Sequence, residues 1–204
     1  MLRVGLTGGL ACGKSHVARL LSAFGCYVIM ADDLGHAVLA PGGEAYDAVV
    51  AEFGSPVLSD DGRSIDRRKL ASAVFGNPEQ LAKLNSVVHP AVFAREEAFT
   101  QSAAAADTHA IVVVEAAILI ETGSYKKYDK LIVVVCSEDQ QMERAMRRAG
   151  QSATPEDVRA RIERQIPVNE KRKFADFVID TSGTREQTAE QTRRVYEELR
   201  RIAG

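Results

Sequence analysis

The feature that most constrains this fold is the segment at residues 8–15, which reads GGLACGKS and satisfies the phosphate-loop pattern G-x-x-x-x-G-K-[ST] in full. An apolar run at residues 4–6 precedes it and predicts a strand, and residues 14–24 follow with a helical pattern. A glycine-rich loop between a strand and a helix presents backbone N–H groups and the positive end of the helix dipole to an anion. The segment therefore predicts a nucleoside triphosphate site.

Within this loop, the side chains of Lys14 and Ser15 have predicted roles. We expect the Lys14 ammonium to reach the β- and γ-phosphates and the Ser15 hydroxyl to hold Mg²⁺. At Cys12 we expect the backbone N–H group to matter most. The predicted nucleotide-binding residues here are Gly9, Leu10, Ala11, Cys12, Gly13, Lys14, Ser15 and His16, although the imidazole of His16 has no partner pattern.

Composition narrows the class of protein. The 204 residues are 46% hydrophobic and 26% charged, which suits one core with small appended subdomains. A net charge of −2 argues against nucleic acid as a partner. We expect no membrane segment or cleavable leader, because no apolar run reaches spanning length. Three cysteines without metal spacing indicate reduced thiols in the cytoplasm.

Strand and helix signals alternate along the chain. Short runs rich in valine and isoleucine, typical of strands buried on both faces of a parallel sheet, lie at residues 3–6, 27–30, 111–114, 131–135 and 177–179. Helix starts are indicated by capping patterns at Ser137 with Gln140, Thr154 with Pro155 and Asp157, and Thr184 with Gln187. These signals predict an α/β phosphate-loop fold, a five-stranded parallel sheet flanked by helices that binds ligands at the carboxyl ends of its strands.

Two segments exceed this minimal plan and divide the single domain into a core (1–59, 107–136, 169–204), a helical acceptor-binding subdomain (60–106) and a lid (137–168). In the subdomain, Pro78 is expected to start a helix and the pair His89–Pro90 to interrupt the helical pattern. The lid segment is rich in arginine and has a turn at residues 150–152. One interpretation of this segment is a lid whose arginines close over the triphosphate. The alternative is two surface helices with paired charges.

Acidic residues follow two of the predicted strands. Asp32 and Asp33 come just after the second strand, where a carboxylate accepts the proton of an attacking hydroxyl or helps to hold Mg²⁺; a solvated acidic turn is the alternative. Glu115 ends the third strand like a Walker-B acid. His89 is a candidate substrate contact, although most single histidines are only packed or hydrated.

Three classes of phosphate-loop protein compete. A GTPase requires an N-K-x-D motif, and residues 169–172 read NEKR. A motor or transport ATPase would use Glu115 but needs a larger coupling surface. A small-molecule kinase accounts for the loop, the helical insert, the arginine-bearing segment and the small size together. A kinase also suppresses ATP hydrolysis in the absence of its acceptor, because water must not compete with the acceptor for the phosphoryl group.

From end to end, the chain resembles the dephospho-CoA kinase family. The family loop G-L-T-G-G-[IL]-x-[ST]-G-K-S matches residues 5–15, and D-A-D-x-[IL]-[AG]-[RH] matches residues 30–36. Other family segments follow in order at residues 41–42, 53–54, 67–70, 75–78, 84–85, 89–90, 125–127, 148–150, 161–165, 170–171, 175–176 and 178–180. Their order over most of the chain makes the resemblance specific.

At four positions the chain departs from the family pattern. Cys12 replaces a small hydroxyl residue in the loop, and Met30 stands where the first aspartate of the second motif is usual. Ala117 replaces a proline after the third strand, and Thr181 replaces the asparagine before Ser-Gly, near the expected adenine. The departure at Thr181 therefore bears on base selectivity.

The resemblance implies ATP- and Mg²⁺-dependent phosphorylation of the ribose 3′-hydroxyl of dephospho-CoA, the last step of coenzyme A synthesis, by a cytoplasmic monomer or weak homo-oligomer. It implies catalytic roles for Lys14, Asp32 and Arg148, and metal ligation by Ser15 and Asp32. Beyond the loop, Arg148 and Thr181 join the ATP site, and the acceptor site comprises Asp32, Leu84, His89 and Arg161. Arg148 covers the transferred group, and Arg144 or Arg161 is a further candidate for the same role. The competing function is a kinase of a nucleotide or another small metabolite on the same fold.

Overall fold

The computed structural model describes residues 1–150 and 153–204. Within these ranges five strands form one parallel sheet in the order β2-β3-β1-β4-β5. The strands are β1 (Leu2–Gly8), β2 (Tyr27–Met30), β3 (Ile111–Glu115), β4 (Lys130–Val135) and β5 (Phe177–Asp180). The predicted five-stranded parallel sheet is confirmed, and every predicted strand lies within an observed one.

Helices connect the strands. They are α1 (Lys14–Ala23), α2 (Ala31–Val38), α3 (Tyr46–Phe53), α4 (Arg67–Val74), α5 (Pro78–Ala106), α6 (Glu138–Ala149), α7 (Pro155–Glu163), α8 (Val168–Lys171) and α9 (Arg185–Ala203). Short 3₁₀ turns occur at Ser55–Val57, Ser124–Lys127 and Arg172–Phe174. Among the described residues, no helix is both long enough and apolar enough to cross a membrane.

The chain divides into two compact units, one comprising residues 1–30 and 103–204 and the other residues 31–102. In the first unit, alternate residues of β4 serve two hydrophobic clusters. Ile132 and Val134 pack with residues of α1 and α9, whereas Leu131, Val133 and Val135 pack with Leu119 and Ile120. This alternation arises because successive strand side chains point to opposite faces. The sheet is thus buried on both sides, as its continuous apolar strands predict.

The second unit has its own hydrophobic cluster, built from Val38, Ala45, Val49, Val57, Ile65 and Leu70. It contains α2, α3, α4 and most of α5. The unit therefore includes residues 31–59, which the sequence-based division places with the core, as well as most of the predicted acceptor-binding subdomain.

The predicted interruption at His89–Pro90 is wrong, because α5 runs without a break through Pro90. A proline inside a helix removes one backbone hydrogen bond and crowds the preceding turn. In this helix, Val87, Val88, Ala91 and Val92 continue one apolar stripe across the proline and pack against the cluster of the second unit. The free energy gained from tertiary packing therefore outweighs the local cost of Pro90 to the helix backbone.

All three predicted helix starts are confirmed, and two of them form the complete capping box. Thr154 and Thr184 form complete capping boxes with Asp157 and Gln187. Ser137 caps α6 by accepting a hydrogen bond from the Gln140 backbone N–H, but the Gln140 side chain donates to the Ser182 carbonyl instead of returning to Ser137. The predicted turn at 150–152 lies partly outside the described residues, since only Gly150 belongs to them.

Candidate active site

The phosphate loop connects β1 to α1 and has backbone conformations that few residues adopt. At Gly8, an added Cβ atom would collide with the Val134 carbonyl of the neighbouring strand. Gly13 caps α1 with a left-handed φ of 88°, which costs glycine little. Ala11 has a φ of 57°, a left-handed conformation that costs a non-glycine residue on the order of 1 kcal/mol or more. The loop is therefore held in a strained shape by its surroundings.

Lys14 folds back over the loop that precedes it. Its ammonium donates to the carbonyl of Gly8 at 3.3 Å and to that of Gly9 at 3.0 Å. Lys14 is half-buried, and Ser15 is exposed in the first turn of α1. The structure thus keeps the positive charge at the loop, which is where the motif predicts it to act.

Gln165, beyond the end of α7, contacts the loop directly. Its side-chain carbonyl accepts a hydrogen bond from the Leu10 backbone N–H at 2.9 Å. Gln165 also lines a cavity of about 490 Å³ together with Gln141, Met142, Arg159, Ile162 and Ile166. This volume lies within the range of small-molecule pockets. The predicted lid segment thus lines a cavity, and one of the lining residues, Gln165, also bonds to the phosphate loop.

Thr181 joins the loop to helix α6, which lies in the predicted lid segment. Its hydroxyl donates to the Cys12 carbonyl at 2.8 Å, and it accepts a hydrogen bond from Arg144 Nη1 at 3.0 Å. Arg144 Nη2 donates to the Thr181 carbonyl at 2.8 Å. Arg144, a further candidate to cover the transferred phosphate, is therefore held by Thr181, whose hydroxyl bonds to the loop.

The side chain of Cys12 is fully buried and contacts a second thiol. The Cys136 thiol donates a hydrogen bond to Cys12 Sγ at 3.1 Å. This bond lowers the pKa of Cys12 to about 7; burial opposes the change and the Lys14 ammonium assists it. The same interaction raises the pKa of Cys136. The hydrogen bond thus favours the thiolate form of Cys12 and the protonated form of Cys136.

His16 lies in the first turn of α1 and is half-buried. Burial lowers the pKa of its imidazole, and the positive charges of Arg19 and Arg185 add to the effect. His16 is therefore a neutral side chain at pH 7, next to a loop whose positive charge comes from Lys14.

The remaining predicted residues of the first unit are exposed. Arg148 lies in the last turn of α6 and Arg161 in the last turn of α7. Glu115, in contrast, is buried at the end of β3. Its position supports the comparison with a Walker-B acid more than a surface role.

In the second unit, Asp32 and Asp33 are exposed in the first turn of α2, which begins directly after β2 without a loop. Leu84 is half-buried on α5 and packs against the cluster of this unit. His89, also on α5, is exposed, and its ring centroid lies 5.8 Å from that of Phe93. Leu84 thus has a structural role, whereas His89 is accessible.

No group of three or more His, Cys, Asp or Glu side chains in the described ranges is arranged to hold a metal ion. Such a cage is not needed for Mg²⁺ at a nucleotide site, because Mg²⁺ retains water ligands and binds the substrate phosphates. A hydroxyl such as that of Ser15, at the start of the helix after the loop, fits this mode of binding.

Sequence reasoning missed Gln165, Cys136 and the pair formed by Glu121 and Lys171, whose Nζ and Oε1 atoms lie 2.7 Å apart. Each of these residues reaches its partner across 45 or more positions, as in the bonds of Gln165 to Leu10 and of Glu121 to Ile166. The only signal available in the sequence is their occurrence in or near segments that match the family pattern.

A family model described as CoaE, dephospho-CoA kinase, matches residues 2–187. The dephospho-CoA kinase of Aquifex aeolicus is 43% identical over 201 residues, which cover 98% of this chain and 99% of that protein. Among solved structures, TT1252 from Thermus thermophilus is similar with a TM-score of 0.80 and 30% identity over 97% of both chains. The dephospho-CoA kinase from Campylobacter jejuni is similar with a TM-score of 0.69 and 26% identity over 98% of both chains.

Proposed function

The chain belongs to the dephospho-CoA kinase family, and on this basis we propose that it transfers the γ-phosphoryl group of ATP to the ribose 3′-hydroxyl of dephospho-CoA. The products are coenzyme A and ADP. The observation that carries the proposal is the match to this family over nearly the whole chain, with an intact phosphate loop at its start. We further propose that the enzyme acts in the cytoplasm, as a monomer or weak homo-oligomer with small-molecule partners.

Phosphate binding is assigned to the loop. N–H groups of the loop and of the start of α1 provide donors for the phosphates, and the dipole of α1 favours negative charge there. Two loop N–H groups, those of Leu10 and Cys12, already donate to the Gln165 side chain and to the Gly9 carbonyl. The Lys14 ammonium, already held at the Gly8 and Gly9 carbonyls, needs only a side-chain rotation to exchange these acceptors for phosphate oxygens. Its charge stabilises the transition state, in which negative charge spreads over the transferred group.

Mg²⁺ is assigned to the Ser15 hydroxyl and, directly or through water, to the Asp32 carboxylate. When bound, the ion neutralises charge on the β- and γ-phosphates. The Ser15 side chain is exposed at the start of α1, where the phosphate-loop motif puts the metal-binding hydroxyl. Both ligands offer oxygen, the donor that Mg²⁺ prefers.

The acceptor hydroxyl is assigned to Asp32. A carboxylate orients this hydroxyl by accepting its hydrogen bond, and it takes the proton as the bond to phosphorus forms. Asp32 is an exposed member of the first turn of α2, only two residues beyond the end of β2. Since parallel α/β sheets bind ligands at the carboxyl ends of their strands, this connection supports the role.

The lid and the acceptor-binding subdomain complete the proposal. Arg148 covers the transferred phosphoryl group, and Arg144 or Arg161 is a further candidate for this role. A guanidinium suits this task because it binds phosphate oxygens in pairs. Arg161, Leu84 and His89 are assigned to the acceptor. Of the two in the second unit, the exposed His89 is the better candidate for direct contact, and Leu84 acts through packing.

An acceptor panel tests the function. The protein is incubated with ATP, Mg²⁺ and, separately, dephospho-CoA, AMP, CMP or pantothenate, while ADP formation is followed. We expect rapid ADP formation with dephospho-CoA only, and none after chelation of Mg²⁺. Turnover of AMP or CMP without turnover of dephospho-CoA would assign the chain to the nucleotide kinases instead. Rapid ADP formation without any acceptor would indicate an ATPase.

A further inference from the structure

Thr181, the residue directly after β5, is one of the few buried polar side chains beside the phosphate loop. Only 6% of its surface is exposed. Its backbone N–H donates to the Val135 carbonyl at the end of β4 at 2.9 Å. On its other side, an added Cβ atom at Gly13 would lie 3.5 Å from Thr181 Cγ2. Thr181 is therefore wedged between the end of β4 and the start of α1.

The Thr181 hydroxyl donates one hydrogen bond to a protein group and accepts another. A threonine hydroxyl has one proton to donate and two lone pairs that accept. The proton goes to the Cys12 carbonyl at 2.8 Å, with the Val135 carbonyl at 3.2 Å as a longer alternative. A lone pair accepts from Arg144 Nη1 at 3.0 Å. Donating this proton to a purine base would require breaking a buried hydrogen bond, which is costly.

Thr181 holds the Arg144 guanidinium at two points. Nη1 bonds the hydroxyl and Nη2 bonds the carbonyl of the same residue, at 3.0 and 2.8 Å. Two anchors on one planar group fix its orientation as well as its place. Because hydrogen bonds to a charged donor are stronger than neutral ones, this contact ties α6 firmly to residue 181.

The turn that carries Thr181 is itself rigidly held. The Gln191 side chain of α9 bonds both backbone groups of Asp180, accepting from N–H at 3.0 Å and donating to the carbonyl at 2.8 Å. The Ser182 side chain accepts from the Ser137 N–H, and the Ser182 carbonyl accepts from the Gln140 side chain. The segment 180–182 thus contacts α9, the start of α6 and the phosphate loop at once.

We propose that Thr181 is a positioning residue for ATP: its hydroxyl fixes the phosphate loop at the Cys12 carbonyl and simultaneously orients Arg144 of the lid helix. Its effect on nucleotide binding passes through these two protein groups and not through contact with the base. The proposal rests on the proposed function only in taking ATP as the nucleotide. It concerns a position at which this chain has threonine where the family pattern has asparagine.

Three variants test this role. Thr181→Val keeps the shape and removes the hydroxyl, whereas Thr181→Ser keeps the hydroxyl and removes the methyl group. Thr192→Val is the matched control, because Thr192 is also buried and its hydroxyl bonds only to the Thr188 carbonyl within α9 among the contacts described. Each full-length variant is assayed for direct binding of ATP by calorimetry, for the KM of ATP and kcat with dephospho-CoA, and for thermal unfolding.

We expect Thr181→Val to weaken ATP binding by about tenfold or more, the effect of losing a hydrogen bond to a charged partner. Thr181→Ser should restore binding to within about threefold of the wild type, and Thr192→Val should bind ATP like the wild type even if its unfolding temperature falls. Normal ATP binding by Thr181→Val would overturn the proposal. So would equal loss of binding in Thr181→Val and Thr192→Val, since that result indicates general destabilisation.

A double-mutant cycle tests the connection to Arg144. If Thr181 acts through this arginine, Thr181→Val should weaken ATP binding much less in an Arg144→Met background than in the wild type. Additive effects would overturn the Arg144 part of the proposal. Direct ATP binding is measured without an acceptor, so these outcomes remain decisive even if dephospho-CoA proves not to be the substrate.

Discussion

The ammonium of Lys171 lies 2.7 Å from Glu121 Oε1, and the lysine side chain is completely buried. Lys171 also donates to the Ala117 carbonyl at 3.3 Å, and Glu121 Oε1 accepts from the Ile166 N–H at 3.2 Å. The pair therefore ties the segment after β3 to the segment that links α7 to α8. A buried charge that loses its counter-charge strongly destabilises the folded state.

Removal of the Glu121 carboxylate charge should therefore destabilise the protein strongly. We expect Glu121→Gln, which leaves the Lys171 ammonium buried without a counter-charge, to lower the free energy of unfolding by about 3–5 kcal/mol in denaturant titrations. The double variant Glu121→Gln, Lys171→Met should regain much of the lost free energy of unfolding. The control is Glu170→Gln, whose partner Lys173 is exposed; it should cost at most about 1 kcal/mol. Equal effects of Glu121→Gln and Glu170→Gln would show that burial of the pair is energetically unimportant.

The thiol pair predicts a pH dependence. The Cys136 hydrogen bond lowers the pKa of Cys12 from 9.0 to about 7 in the folded protein. Because the folded pKa is below the unfolded value, ionisation of Cys12 stabilises the fold, fully above about pH 9 and progressively less as pH falls through about 7. The stability advantage of the wild type over Cys12→Ser should therefore grow between about pH 7 and 9.

Ultraviolet absorbance of the thiolate provides an independent measurement of the same titration. A step near pH 7 is expected in the folded wild type and should disappear in Cys12→Ser. Cys136→Ala, which removes the hydrogen-bond donor, should move the step to higher pH. A folded wild type that shows no thiolate below about pH 9 would contradict the assigned shift of the Cys12 pKa.

Arg148 should act mainly on the rate of transfer. If the lid brings this guanidinium to the phosphoryl group only on closure, Arg148→Ala should lower kcat more than it raises the KM for dephospho-CoA. Arg200→Ala is the matched control, because Arg200 is also an exposed arginine near the end of a helix, α9. Steady-state kinetics give kcat and the KM for dephospho-CoA of both variants. Equal changes in Arg148→Ala and Arg200→Ala would show that the lid assignment is wrong.

Asp32 should be more important for catalysis than its neighbour Asp33. Asp32→Asn keeps the shape but removes the charge, and we expect kcat to fall by roughly 10²–10⁴-fold, with ATP binding much less affected. Asp33 is the control, since consecutive residues of α2 point about 100° apart around the helix. If Asp33→Asn is the damaging variant and Asp32→Asn is nearly silent, the family alignment is shifted by one residue at this position.

Local signals in the sequence were sufficient to predict the sheet and the phosphate loop. The strands are continuous apolar runs, and the loop motif determines the strand–loop–helix arrangement around residues 8–15. Capping at Thr154 and Thr184 also follows from neighbouring residues alone. In the loop and in the capping boxes, the interacting groups lie within a few residues of one another.

Tertiary contacts account for what the sequence did not reveal. The helix α5 continues through Pro90 because apolar side chains on both sides of it pack against the second unit. The Gln140 side chain leaves the capping box for Ser182, and Thr181 reaches the Cys12 carbonyl 169 positions away. None of these partners can be identified from residue type and spacing, since each depends on which segments the fold brings together.

The position of the phosphate on the product tests the proposed function most directly. After incubation with ATP, Mg²⁺ and dephospho-CoA, the product is identified by mass spectrometry and phosphorus NMR against authentic coenzyme A. We expect one new phosphate monoester per ADP formed, located on the ribose 3′-hydroxyl. Absence of transfer to dephospho-CoA, or a phosphate at any other hydroxyl, would contradict the assignment of this chain as a dephospho-CoA kinase.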